Sequence, residues 1–81
     1  MKKSKIIETL KIQLATTARE MYRTAEGDTH NLLDNCKQRG RYYGLLTALS
    51  LHDVDVCAIP HIDGDYFYVT NLKFLDEEEV K

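Results

Sequence analysis

The chain opens on a stripe of period three to four. Ile7, Leu10, Leu14, Thr17, Ala18, Met21 and Ala25 recur at spacings of three and four, with Ile6 and Tyr22 at the stripe's edges. That recurrence is one apolar face of a helix. Glu8, Gln13, Thr16, Arg19, Glu20 and Arg23 take the opposite face, and only Ile12 breaks the pattern. With Ser4 as N-cap, the pattern predicts a helix over residues 4–25. The stretch "AEGDT" then punctuates the chain. Gly27 suits a helix C′ position, and Asp28 or Thr29 suits the next N-cap. A second helical pattern runs over residues 29–51. Two helices of similar length with a short connection predict an antiparallel hairpin.

Helix two is apolar on two sides. At about 100° per residue, Leu33, Cys36, Gly40, Tyr43, Gly44, Thr47 and Leu51 fall in one stripe. Tyr42, Leu45, Leu46 and Leu49 form another, nearly opposite. Each glycine inside a helix costs about 1 kcal/mol relative to alanine. Two on one face therefore predict a tight crossing with helix one, which offers Ala18 and Ala25 on its own apolar face. The competing reading ends a helix at Gly40, with Lys37 and Arg39 in its last turn. Nothing before Arg41 is a convincing new cap, which favours one continuous helix. The Tyr42 stripe is then left needing a second layer.

The last third of the chain can supply that layer. "VDVCAI" (54–59) and "YFYVT" (66–70) are rich in β-branched and aromatic residues. Asp63-Gly64 between them is a hairpin signal, predicting a β-hairpin within residues 54–70. That turn sets Ile62 opposite Asp65 and Ala58 opposite Val69. One face carries Val56, Ala58, Pro60, Phe67 and Val69, and the other Cys57, Ile59, His61, Tyr66, Tyr68 and Thr70. Pro60 has no ladder donor, so the first strand is expected at an edge. Leu72, Phe74 and Leu75 extend the apolar pattern without a clear register. "DEEEVK" (76–81) reads as a solvated acidic tail. The expected fold class is α+β, a single domain over residues 1–81: an antiparallel helical hairpin, then a C-terminal β-hairpin packed on helix two.

Composition narrows function by exclusion. A chain of 81 residues with 43% hydrophobic and 30% charged residues suits a small globular domain. Lone cores of this size are thin, and oligomerisation is a common remedy. Eleven Lys+Arg against 13 Asp+Glu give a net charge of −2, too balanced to imply nucleic acid or an anionic membrane by itself. No apolar run approaches the ~20 residues of a membrane span. Glu8 and Lys11 interrupt what a signal peptide would need as its apolar region, so a cytoplasmic chain is expected. Small chains of this kind are associated with bacteria and their phages.

Candidate chemistry is sparse. Cys36, His52, Cys57 and His61 have the donor types of tetrahedral zinc but no closely spaced cysteine pair. Asp53, Asp55, Asp63 and Asp65 with His61 lack the ligand ladder of a calcium loop, and turn chemistry explains them. His52 with Asp53 or Asp55 has no nucleophile to serve. No catalytic residue, metal or cofactor is expected. Lys37, Arg39 and Arg41 beside Tyr42 and Tyr43 are a candidate nucleic-acid contact, although Lys37 and Arg41 point away from Arg39 on the helical wheel. Tyr42, Leu45, Leu46, Leu49, Tyr66 and Tyr68 are more large side chains than so short a chain readily covers, and mark a candidate interface. The function expected is a non-enzymatic protein-interaction module of regulator or inhibitor type. It is expected to form a homodimer through the C-terminal half of helix two, the strand edge or both, and to bind a partner protein. The alternative is a nucleic-acid-binding accessory protein.

Overall fold

The structure, a computed structural model, describes residues 3–26 and 31–75. The predicted caps at Gly27, Asp28 and Thr29 and the predicted acidic tail lie outside these residues. Helix α1 spans Lys3–Glu26 and α2 spans Leu32–Leu51. Strands β1 (Val56–Asp63) and β2 (Tyr66–Phe74) follow as an antiparallel pair. The fold is the expected helical hairpin followed by a β-hairpin, with β2 against both helices. Ser4 lies inside α1 rather than capping it.

The predicted α1 stripe is the buried face. Leu14, Thr17, Ala18, Met21 and Ala25 are buried, and Ile7 and Leu10 pack on their edge. Ile12, off the stripe, is 60% exposed. Thr17 and Thr24 stay inside because their hydroxyls donate back to the Gln13 and Glu20 carbonyls at 2.8 and 2.9 Å.

Helix α2 is continuous through Gly40. Asn31 caps it, its side chain accepting from the Asp34 amide at 3.0 Å. At the other end Val54 N–H donates to the Leu49 carbonyl and Asp53 N–H to that of Ser50, with Asp53 at φ +63°. That is a Schellman cap, and its usual apolar contact is Val54 on Leu49, both core residues. His52 and Asp53 thus serve as helix-terminating backbone.

The predicted glycine crossing is overturned. A Cβ placed on Gly40 or Gly44 would meet nothing within 4 Å. Their stripe faces outward, with Leu33, Cys36, Tyr43, Thr47 and Leu51 all exposed. The Tyr42 stripe faces inward and meets α1 and β2 together, so one face of α2 takes both layers. Tyr42 supplies the physical reason. Its ring packs on Phe67 of β2 (centroids 6.4 Å apart), a larger burial than two glycines can provide.

The sheet register differs from expectation by two residues. The turn is Gly64-Asp65, so Asp63 pairs with Tyr66 and Pro60 with Val69. Gly64 stands at φ +66°, the left-handed conformation that a two-residue hairpin turn needs at its first central position. A slip of two preserves faces. Phe67 and Val69 are therefore core residues, as their predicted face requires. Between Cys57 and Ile59 the register shifts, leaving one extra residue on β2 near Asn71, which stands at φ +56°. The bulge explains the unassigned pattern beyond it. It restores Leu72 and Phe74 to the face of Phe67 and Val69, and both pack on the core.

Candidate interaction surface

Sequence reasoning missed the residue that joins the layers. Asn35 lies two helical turns before Tyr42 on the same face and is 1% exposed. Its amide nitrogen donates to the carbonyls of Met21 (3.0 Å) and Phe67 (2.9 Å) and to the Thr24 hydroxyl (3.2 Å). Its carbonyl accepts from Phe67 N–H at 2.9 Å. Asn35 thus pairs with β2 as a neighbouring strand would, closing the sheet edge at Phe67. The spacing Asn35–Tyr42–Leu49, seven residues each, was the available signal.

The six predicted interface residues separate into two groups. Tyr42 and Leu49 belong to the core and present no side chain outward, while Leu45 and Leu46 pack half-buried on its edge. Tyr66 and Tyr68 are half-buried on β2. Tyr68 meets Tyr22 edge-on at 5.3 Å and stacks on His61 at 4.7 Å. His61 Nε2 lies 2.9 Å from the Thr70 hydroxyl. Burial, followed by Glu26, Tyr22 and Asp63, raises the Tyr68 phenol above its ordinary pKa.

Among the described residues, the outer face of α2 leaves large apolar side chains uncovered. Leu33 is 71% exposed, Leu51 80% and Tyr43 47%, with Gly40 and Gly44 between them. Beside it Ile12, Gln13 and Thr16 of α1 line a shallow depression with Arg41. A second depression, an open groove of about 680 Å³, runs between α1 and β2, lined chiefly by Ala15, Ala18, Tyr22, Val69, Leu72 and Phe74.

The basic residues do not converge. Arg39 lies over the Phe67 ring at 4.6 Å, next to Tyr43, whose ring is 5.9 Å from Phe67. Arg41 faces the α1 side of α2 and Lys37 the outer face. Cys36 and Cys57 are exposed free thiols on different elements. Among the described residues, no three His, Cys, Asp or Glu side chains gather where they would hold a metal ion. Nor is any described helix long and apolar enough to cross a membrane. Comparison with protein families, curated proteins and solved structures finds no match for this chain.

Proposed function

We propose that this chain is a non-enzymatic protein-interaction module that works as a homodimer and engages a partner protein as a regulator or inhibitor. One observation carries the reading. A two-layer core already occupies the inward face of α2, yet the outward face still presents Leu33, Tyr43 and Leu51 to solvent. We read these exposed apolar side chains, aligned along one helix, as a docking surface. Tyr66 and Tyr68, half-buried on β2, are the candidate contact for the partner protein. The experiment is the native mass of the full chain by light scattering, in low and high salt. A mass of twice 9.4 kDa that persists in high salt supports an apolar dimer. A single-chain mass at every concentration overturns the homodimer.

Nucleic-acid binding is favoured by a narrower observation, the aromatic–arginine cluster of Arg39, Tyr43 and Phe67. Retardation of DNA or RNA that fades steeply with salt, and weakens in Arg39→Ala and Arg41→Ala, replaces the protein-binding reading with this one.

A further inference from the structure

Dimers of one chain are almost always two-fold, and a two-fold interface must be its own complement. The outer face of α2 has that property. Tyr42 lies at the centre of the helix and points inward. Gly40 and Gly44 lie two residues either side of it, and Leu33 and Leu51 nine residues either side. All four project from the side opposite Tyr42, within about 20° of one line.

We propose that two copies of this chain pair antiparallel through the outer faces of α2, with the two-fold axis at the level of Tyr42. This deepens the homodimer reading above and rests on it. Leu33 then meets Leu51 of the second copy at each end. At the centre each Gly40 meets the other copy's Gly44, where no side chain separates the backbones. Lys37 meets Thr47, and the two Lys37 residues stand about 15 Å apart along the axis. A parallel pairing would set Lys37 on Lys37.

The sheet edges suit self-pairing less well. In the observed register the backbone groups of residue 60 point to the open edge of β1, and Pro60 has no N–H to offer there. The other edge is closed at Phe67 by Asn35. A 20-residue helix is about 30 Å long, so the α2 contact falls toward the small end of specific interfaces.

Cysteine cross-linking of the full chain tests the register. The background is Cys36→Ser with Cys57→Ser, both exposed sites. Leu33→Cys with Leu51→Cys together should give a covalent dimer on mild oxidation. Either change alone should not, because like positions then stand about 27 Å apart, beyond the ~7 Å a disulfide tolerates between Cα atoms. Gly40→Leu with Gly44→Leu fills the centre, and should reduce the native mass to one chain while helical circular dichroism is retained. Cross-linking in the single variants would show a parallel pair and overturn the proposal. So would a dimer that survives the two leucines, or one that none of the cysteines cross-links; both leave the homodimer itself standing. A background protein that is monomeric at every concentration removes both.

Discussion

Asn35→Leu removes the hydrogen bonds that join α2 to β2 while roughly keeping side-chain volume. Two buried groups lose their partner, the Phe67 N–H and the Phe67 carbonyl. Leucine fills the space that water would need to replace them. The Met21 carbonyl still accepts from the Thr24 hydroxyl, which itself remains bonded to Glu20. Each buried group left without a partner costs about 1–3 kcal/mol, so the substitution costs about 2–6 kcal/mol. At about 0.05–0.15 kcal/mol per residue, a chain of this length has about 4–12 kcal/mol in total. Asn35→Leu should therefore consume a large part of the fold's stability. Urea unfolding followed by far-ultraviolet circular dichroism is the assay. The slope is about 1 kcal/mol per molar for a chain this small, so the midpoint should fall by about 2 M or more at unchanged slope. A loss below about 1 kcal/mol would mean that Asn35 does not hold the layers together, and the reasoning would fail.

Gly40→Ala and Gly44→Ala should each stabilise the monomer by about 0.5–1 kcal/mol, since the added methyl meets open space and α2 continues through both; dilute thermal melts check this, and a loss would mean the face is covered within the chain. Two sites in left-handed conformation should respond with opposite signs: Gly64→Ala should cost about 1–2 kcal/mol at φ +66°, whereas Asp53→Gly should add a few tenths to about 1 kcal/mol at φ +63°, both read from urea midpoints. Burial first, and then Tyr43, raises the Tyr42 phenol above its ordinary value of about 10. The unfolded chain therefore ionises there first, so the stability tied to the neutral phenol is full below about pH 10 and is lost as pH rises through the higher folded value. Urea midpoints taken across that window should fall more steeply than those of Tyr42→Phe, and equal slopes would contradict the assignment.

How far the sequence could be read depended on whether a pattern had one solution. Helix α1 had one stripe, and Leu14, Met21 and Ala25 along it are buried. Helix α2 had two stripes of similar apolar content. Periodicity finds stripes but does not say which of two faces inward. Expectation chose the glycines, because close approach is what glycine permits, yet Tyr42 and Leu49 gain more by burial. Asn35 escaped because an asparagine scores as polar; only its seven-residue spacing from Tyr42 placed it inside. In the hairpin the faces survived a wrong turn position, since Pro60 and Val69 differ from the expected partners by an even number of residues. The bulge at Asn71 was invisible because nothing before folding distinguishes a left-handed asparagine from any other. Of the six candidate interface residues, Tyr42 and Leu49 are buried and Leu45, Leu46, Tyr66 and Tyr68 are half-buried, so two helices and a hairpin cover more of them than their number suggested.

The most direct test of the account is a dilution series of amide resonances from the uniformly labelled chain. If the outer face of α2 is the self-association surface, the amides of Leu33, Gly40, Gly44 and Leu51 should shift together with concentration, while those of Cys57, Ile59 and Tyr68 stay fixed. Concentration-dependent shifts confined to β1 and β2, with Gly40 and Gly44 unmoved, would place the interface on the sheet and contradict it.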